Sequence, residues 1–269
     1  NCLGDVLKAR RYKMAMVSGW DLGFAGHGAL FTDHGADQAY GPDFVMKTAP
    51  GKRTDFGAYD GNVLQVASKI LDELHAGTQP FGHTIPTSGG HFPDGVLDPS
   101  CEDQVDLPKH EPVILQAVLC TNFLVKQFLD QARDKGQLDN TVVILQSDHL
   151  VLKATVSQRL NNFPRTNFFA IIGPGVDRSV HKRISSTLDI FPTILDALDV
   201  SLDRNRAGLG TSLLSEEPTL TETLGIDLIN QGILQDTVLK KRMWRSPEQR
   251  QAGLVPPEQT KFIWDKVVN

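Results

Sequence analysis

The chain has 269 residues, of which 40% are hydrophobic and 22% charged, and its formal net charge is −5. This length is enough for one large α/β domain with a substantial core, and the composition is that of an ordinary soluble globular protein. The negative charge argues against a nucleic-acid surface. No apolar run approaches the roughly 20 residues of a membrane helix and no signal peptide opens the sequence, so we expect either a cytosolic protein or a targeting segment outside this chain.

Helices and strands alternate along the predicted chain. The apolar residues of the helices recur at helical spacing, and the strands are short apolar runs bounded by glycine, proline or polar turns. This alternation predicts an α/β fold with a mostly parallel central sheet flanked by helices. In chain order we predict a helix at 1–10, a strand at 13–18, a helix at 61–75, a strand at 80–85, a helix at 111–135, a strand at 142–145, a strand at 166–172, a helix from Ser185 or Ser186 to Leu198, and a short edge strand at 209–214.

A long glycine-rich segment, 19–41, follows the first strand. We expect it to be irregular, and connections of this length in compact domains are often functional. His27 and His34 lie in it. From position alone, a solvated loop imidazole is the alternative interpretation of each histidine.

The second strand leads into the sequence SGGHFPDG at 88–95. Glycines let backbone approach a ligand closely, and ligands of open α/β sheets bind beyond the carboxyl ends of the strands. His91 is therefore a candidate binding residue above the sheet, with a structural or solvated histidine as the alternative.

The clearest chemical signal follows the apolar, β-branched run that ends at Leu145. This run predicts a strand buried on both faces of the sheet. Asp148 and His149 stand where the strand ends. A carboxylate oxygen beside an imidazole nitrogen is a suitable pair of ligands for a divalent metal, although two residues do not complete a site.

Three cysteines occur in the chain, at Cys2, Cys101 and Cys120. Composition alone favours three reduced, buried thiols, but a count of three does not decide between thiols and a disulfide.

Ordered motifs along the chain resemble the alkaline phosphatase and sulfatase superfamily. NTVVILQSDHL, TNFFAIIGPG, RISSTLDIFPTILDALDV and AGLGTSLL are similar to the C-terminal half of its catalytic domain. CLGDVLKARRY, FAGHGALFTDHGADQAYG and HFPDG narrow the resemblance to the bacterial phosphoglycerol transferases that decorate periplasmic glucans, relatives of lipoteichoic acid synthase. The resemblance extends to about Leu224. It implies a sulfatase-like catalytic domain at 1–224, truncated at its N-terminus, and a peripheral extension at 225–269.

The resemblance implies a role for each candidate residue. Asp148 and His149 match the last two metal ligands of the family, which bind one divalent cation, Mn²⁺ first, with Mg²⁺ and Zn²⁺ as the alternatives. His91 matches the histidine that contacts the phosphoglycerol group, and His27 occupies the basic position that faces the phosphate. A cation and two imidazoles around one phosphate would offset its charge as the transition state forms.

The sequence also departs from the family pattern. The threonine nucleophile and a metal-binding glutamate of the family belong to a segment upstream of CLGD, so we expect both outside this chain, together with the N-terminal part of the fold. We therefore expect no catalytic nucleophile in this chain and no activity from it alone. Gly89 and Gly90 stand where an Asp-Thr pair is usual, and His27 replaces the commoner lysine.

The implied reaction is a two-step transfer of a phosphoglycerol group from phosphatidylglycerol, through the nucleophile, to a glycan hydroxyl. This chemistry implies the extracytoplasmic, periplasmic face of the bacterial inner membrane, with anchoring by segments outside this chain. Disulfides persist there. The family pairs cysteines at the positions of Cys101 and Cys120, so the resemblance implies that bridge, and it implies an upstream partner for Cys2.

Two alternatives stay open. The chain could belong to another enzyme of the superfamily, namely a sulfatase, a phosphodiesterase or a phosphoethanolamine transferase. The Cys/Ser-x-Pro-x-Arg nucleophile motif of sulfatases is absent from this sequence. The chain could also be a non-catalytic domain that keeps the fold, an alternative that Gly89 and Gly90 favour.

Overall fold

The structure, a computed structural model, describes residues 2–102, 104–176 and 182–238. The chain forms two compact units, Asn1–Val176 and Asp177–Asn269. The domain boundary expected after Leu224 stays a prediction, and most of the extension expected at 225–269 lies outside the described residues.

The first unit alternates helices with strands, as predicted. The helices predicted at 1–10, 61–75 and 111–135 are confirmed with small shifts at their ends. In chain order the unit contains α1 (Leu3–Ala9), β1 (Lys13–Val17), α2 (His27–Asp33), β2 (Gln38–Tyr40), α3 (Pro42–Thr48), β3 (Arg53–Thr54), β4 (Gly57–Ala58), α4 (Asp60–His75), β5 (Phe81–Thr84), α5 (Val113–Asp134), β6 (Val143–Gln146), α6 (Ser157–Leu160) and β7 (Phe169–Ile172).

A three-stranded parallel sheet in the order β2-β1-β5 organises this unit. In the register, Met16 of β1 is opposite Thr84 of β5, and Val17 is opposite Tyr40 of β2. Because all three strands run the same way, their carboxyl ends meet at one edge of the sheet. This sheet with its flanking helices confirms the predicted α/β fold class.

The core forms where α3 and α4 cover β1. Helix α4 carries apolar residues at helical spacing, and those on one side of it pack on the central strand. The central strand itself is buried from Met14 to Val17. The buried residues of this cluster are Ala15, Val17, Val45, Ala49, Ala58, Val63, Val66, Ile70 and Leu74.

Helix α5 packs against the other side of α4. A disulfide between Cys101 and Cys120, with Cα atoms 5.7 Å apart, joins the loop before α5 to the helix. Both cysteines are buried in a second cluster with Leu64, Leu107 and Leu124. Within the described part of the chain, α5 is long and apolar enough to cross a membrane, by length and composition alone. The expectation that no segment approaches a membrane helix was therefore wrong for α5, because polar residues interrupt its apolar ones. One face of α5 is buried against α4, while Val113, Val118 and Leu119 are exposed.

The prediction that 19–41 is irregular was wrong. The segment contains a 3₁₀ turn, Phe24–Gly26, followed by α2 and β2. Helix α2 has seven residues and β2 has three, so neither is long enough for a periodic apolar pattern. Gly26 has a left-handed φ of 70° at the start of α2, a conformation that glycine adopts without steric cost.

The prediction of a strand buried on both faces before Asp148 was also wrong in part. The strand exists as β6, but Val143, Ile144 and Leu145 are half-buried. Strand β6 pairs antiparallel with β7 in a separate two-stranded sheet. Since each strand has one partner within the described residues, both edges of this sheet are unpaired there and its apolar residues stay partly exposed.

The second unit is described by itself from residue 182. Ser186 and Asp189 form a capping box, which confirms the predicted helix start. Arg183 donates from Nε and Nη2 to the two carboxylate oxygens of Glu222, at 3.1 and 2.7 Å, and this pairing lowers the pKa of Glu222 to about 2. The elements are α7 (Ile190–Ala197), β8 (Arg206–Ala207), β9 (Gly210–Thr211), α8 (Leu220–Leu224) and α9 (Ile226–Gln235), with β9 standing within the strand predicted at 209–214.

Candidate functional site

Two of the predicted site residues come together beyond the carboxyl edge of the parallel sheet. His27 follows β1, at the start of α2, and His91 follows β5 in the glycine-rich loop. Trp20 joins them, because its ring centroid lies 6.1 Å from that of His27 and 5.6 Å from that of His91. The indole is close to perpendicular to both imidazoles, the edge geometry that aromatic rings prefer.

Ser18 fixes the positions of His27 and Trp20. Its side chain is fully buried. Its Oγ accepts a hydrogen bond from the backbone N–H of Trp20 at 3.1 Å, and the same Oγ lies 3.5 Å from His27 Nε2. His27 Nδ1 is 2.6 Å from the Phe24 carbonyl oxygen. Because a carbonyl oxygen only accepts, Nδ1 carries the proton, and the lone pair of the neutral ring lies on Nε2.

A short hairpin brings a further ring to His91. Strands β3 and β4 pair through a turn, and Gly57 forms a bridge to Trp20. A Cβ at Gly57 would lie 2.0 Å from the Gly19 carbonyl oxygen, so only glycine allows this approach. The hairpin thereby places the Phe56 ring 4.8 Å from His91. His91 thus lies among aromatic rings and is itself half-buried.

His91 has the same tautomeric arrangement as His27. Its Nδ1 lies 2.6 Å from the Phe92 carbonyl oxygen, which makes Nδ1 the donor and leaves Nε2 for a ligand. The backbone N–H of His91 donates to the Ser88 carbonyl oxygen at 2.9 Å, which closes the loop on itself. The site therefore offers Nε2 of His91 beside the indole, while Nε2 of His27 lies against Ser18 Oγ.

Asp148 and His149 form a second group at the end of β6. His149 Nε2 lies 3.4 Å from Asp148 Oδ2, and the side chains are 52% and 79% exposed, respectively. His149 Nδ1 donates to the Leu150 carbonyl oxygen at 2.8 Å. A backbone carbonyl that accepts the Nδ1 proton is the usual outer partner of a metal-binding histidine, because it leaves the Nε2 lone pair for the ion.

This pair fits two ligands of a divalent cation. Two donor atoms about 2.1 Å from a shared ion lie roughly 3.0–3.4 Å from each other at octahedral or tetrahedral angles. The separation of 3.4 Å between Nε2 and Oδ2 agrees with that spacing. Among residues 2–102, 104–176 and 182–238, no third His, Cys, Asp or Glu donor completes this group.

The two groups are connected through the backbone. Thr155, six residues after His149, donates its N–H to the Pro93 carbonyl oxygen at 3.2 Å. This bond ties the segment after the carboxylate–imidazole pair to the loop that carries His91. Between the side chains of the two groups, the described part of the chain shows no direct hydrogen bond or ion pair.

His34, the other histidine of segment 19–41, belongs to a different place. Its Nδ1 lies 2.9 Å from Asp5 Oδ2. Partial burial acts to raise the pKa of Asp5, but hydrogen bonds from the Cys2 N–H and from His34 outweigh it and lower that pKa. Cys2, a free and exposed thiol, completes a group of three donors within 4.8 Å of one another.

Sequence reasoning missed three residues of the site: Ser18, Trp20 and Phe56. Trp20 stands directly after the strand and the glycine, at the edge where ligands of α/β sheets bind, and this position could have identified it. Phe56 lies in a turn between two-residue strands, and no local pattern connects it with His91.

Several known proteins are similar to this chain. The profile of the Sulfatase family matches residues 1–200. Phosphoglycerol transferase I from Citrobacter koseri is 34% identical over 221 residues, which are 80% of this chain and 28% of that protein. The enzyme of the same name from Escherichia fergusonii is 31% identical over 255 residues, which are 93% of this chain and 33% of that protein. The chain thus spans about a third of the length of these relatives.

Two solved structures share the fold. A protein in the alkaline phosphatase superfamily from Vibrio parahaemolyticus has a TM-score of 0.67 at 22% identity, covering 82% of this chain and 52% of the other. The lipoteichoic acid synthase LtaP from Listeria monocytogenes has a TM-score of 0.61 at 23% identity, covering 74% of this chain and 52% of the other. At these identities the likeness supports the fold alone.

Proposed function

Because the chain belongs to the sulfatase family, we propose that it forms part of the catalytic domain of a phosphoglycerol transferase. The proposed reaction is the metal-dependent transfer of a phosphoglycerol group from a phosphatidylglycerol-type lipid to a glycan hydroxyl. Two relatives named phosphoglycerol transferase I, at 31% and 34% identity, support this reaction over sulfate-ester hydrolysis. No nucleophile is assigned to this chain, and the proposal places it outside residues 1–269.

The observation that carries the proposal is the arrangement of Asp148 and His149. Their donor atoms are spaced as two ligands of one ion would be, and the Leu150 carbonyl holds the histidine in the tautomer that binds metals. We assign both as ligands of one divalent cation, with Mn²⁺ first and Mg²⁺ or Zn²⁺ as alternatives. When bound, the cation would polarise a phosphate oxygen as a Lewis acid.

The two imidazoles beside Trp20 bind and orient the phosphoglycerol group in this proposal. His91 and His27 each hold a proton on Nδ1 through a backbone carbonyl. His91 presents Nε2 to a ligand, and in this proposal His27 Nε2 exchanges its 3.5 Å contact with Ser18 Oγ for the ligand. In the protonated form each Nε2 donates to a phosphate oxygen and offsets its negative charge. Trp20 and Phe56 provide apolar surface beside His91.

The disulfide supports an extracytoplasmic home for the protein. Disulfides persist outside the cytoplasm. The bond between Cys101 and Cys120 joins the loop before α5 to that helix. We therefore propose the periplasmic face of the bacterial inner membrane, where the lipid donor and the glycan acceptor meet. Anchoring to that membrane belongs to segments outside this chain.

The test uses the full-length protein expressed from its natural coding sequence. Vesicles of phosphatidylglycerol labelled in the glycerol headgroup are incubated with a soluble β-glucan oligosaccharide and Mn²⁺, and label on the glycan is counted. His149→Gln and His91→Gln should each lower transfer by at least about tenfold, because each removes a charge-neutralising contact. His75→Gln is the matched control, because His75 is exposed at the end of α4, away from the site.

The same preparation separates the alternatives. Hydrolysis of an aryl sulfate without glycan labelling would identify a sulfatase. Binding of Mn²⁺ without turnover of either substrate would identify a non-catalytic domain. Transfer that is equal in the wild type and His149→Gln would overturn the metal assignment.

A further inference from the structure

Asp60, the first residue of α4, is a buried carboxylate that is 3% exposed. Its Oδ1 accepts hydrogen bonds from the Ser88 N–H at 2.7 Å and from the Ser88 hydroxyl at 3.0 Å. Its Oδ2 accepts from the Gly89 N–H at 2.9 Å and from the Thr121 hydroxyl at 2.7 Å. Both oxygens are therefore satisfied, as a buried charge requires.

These hydrogen bonds do not cap the N-terminus of α4, the helix that carries Asp60. A carboxylate in the first turn of a helix commonly accepts from backbone N–H groups of the same helix. Here all four donors lie in other segments, and the N–H of Gly61, the next residue, donates instead to Asp98 at 2.7 Å. Asp60 thus connects α4 with the glycine-rich loop and with α5.

The connection leads directly to His91. Ser88, held by Asp60, accepts the His91 N–H on its carbonyl oxygen at 2.9 Å. Gly89, also held by Asp60, accepts the Val96 N–H at 2.8 Å. His91 and Val96 of this loop therefore both donate backbone hydrogen bonds to the two residues that Asp60 binds.

The side chains of Asp60 and Thr121 fill the space beside Gly89. A Cβ at this position would lie 2.1 Å from Thr121 Oγ1 and 2.8 Å from Asp60 Oδ2. Gly89, which stands where the family usually has a larger residue, is thus the position where a carboxylate and a hydroxyl reach the loop backbone. Thr121 follows Cys120 in α5, next to the disulfide.

We propose that Asp60, together with Thr121, is a positioning residue that holds the loop so that His91 meets the phosphoglycerol group. This role rests on the proposed function for its ligand, but the placement of His91 by Asp60 is testable without turnover. Asp60 touches no substrate in this proposal and acts through Ser88 and Gly89.

The test compares Asp60→Asn, Thr121→Val and Thr121→Ser in the 269-residue chain. Asparagine keeps the shape but turns an N–H₂ group toward the loop donors, and valine removes the hydroxyl at nearly equal volume. Serine keeps the hydroxyl. The readout is the ¹H–¹³C spectrum of the ring of His91, assigned by His91→Gln among eight histidines, with and without sn-glycerol 1-phosphate.

We expect Asp60→Asn to displace the His91 ring signals and to weaken glycerol phosphate binding by at least about tenfold, because it breaks hydrogen bonds to a charged group. Thr121→Val should shift the same signals in the same direction with a smaller loss, and Thr121→Ser should restore them. If Asp60→Asn does not fold, the valine and serine pair decides the question.

The two proposals fail in different ways. His91 signals and binding unchanged in folded Asp60→Asn or Thr121→Val would overturn the positioning role. Glycerol phosphate that does not affect His91 in the wild type would contradict the proposed function, while the ring signals of the variants would still test the positioning.

Discussion

The rings of Trp20 and His91 stand 86° apart in plane, with centroids separated by 5.6 Å. They come from segments that follow β1 and β5, so this contact depends on the parallel pairing of those strands. The same indole also meets His27, which makes Trp20 the common neighbour of both candidate phosphate-binding imidazoles.

Replacing Trp20 with alanine should therefore lower activity strongly, because the indole contacts both candidate imidazoles. Without the indole both imidazoles lose a packing surface, and small misplacements of binding groups can cost about 100-fold in rate. We expect Trp20→Ala to lower kcat/KM for glycan labelling in the full-length protein by at least about tenfold. Trp20→Phe, which keeps a ring, should lose less.

Phe163→Ala is the control for the tryptophan variant. Phe163 is 63% exposed, and no ring contact involves it within the described residues. Equal losses for Trp20→Ala and Phe163→Ala would show that general destabilisation, and not the site, explains the effect.

Asp148→Asn should weaken Mn²⁺ binding by at least about tenfold. The substitution replaces a charged hard oxygen donor with a neutral amide at a side chain that is 79% exposed, so the fold should not change. Isothermal titration of the full-length protein measures the affinity. Asp139→Asn, at an exposed turn before β6, should bind as the wild type does, and an unchanged affinity in Asp148→Asn would remove this residue from the ligand set.

Removal of the disulfide should lower the free energy of unfolding by about 3 kcal/mol. The bridge joins residues 19 apart in sequence. A crosslink that closes a loop of about this length lowers the conformational entropy of the unfolded chain, which stabilises the folded state by about 3 kcal/mol. Alanine at both Cys101 and Cys120 avoids burying new polar groups, and urea denaturation followed by circular dichroism measures the change. Cys2→Ala, at an exposed free thiol, should have no effect.

His83 on β5 should make the chain sensitive to acid. Desolvation lowers the pKa of His83 to about 4, and neither ring nitrogen has a hydrogen-bond partner among the described residues. The unfolded chain takes up this proton near pH 6.5, whereas the folded chain resists it until about pH 4. The stability contribution is therefore complete above pH 6.5 and is lost as the pH falls toward 4.

The expected loss is about 3 kcal/mol over that interval, from a pKa difference of about 2.5. His83→Leu cannot take up the proton, so its free energy of unfolding should fall less between pH 6.5 and 4 than that of the wild type. Urea denaturation at several pH values measures both proteins. Parallel curves would show that the imidazole is protonated as easily in the folded chain as in the unfolded one.

The sequence by itself determined the features whose signals are local. Helices α4 and α5 are long enough for apolar residues to repeat at helical spacing, and their ends were found within a few residues. Asp148, His149, His91 and His27 became candidate site residues because each stands near the end of a strand or in a glycine-rich connection, and their roles stay predictions. Ordered motifs then indicated the family, which the match over residues 1–200 shows.

Only the tertiary structure decided which residues surround them. Trp20, Phe56 and Asp60 reach His91 through strand pairing, a two-residue hairpin and a buried carboxylate, and the sequence separations of these contacts leave no local pattern. Likewise, the apolar run before Asp148 could not show whether β6 joins the parallel sheet or pairs antiparallel with β7. Strand partners depend on long-range burial and hydrogen bonding, which a single strand's side chains do not encode.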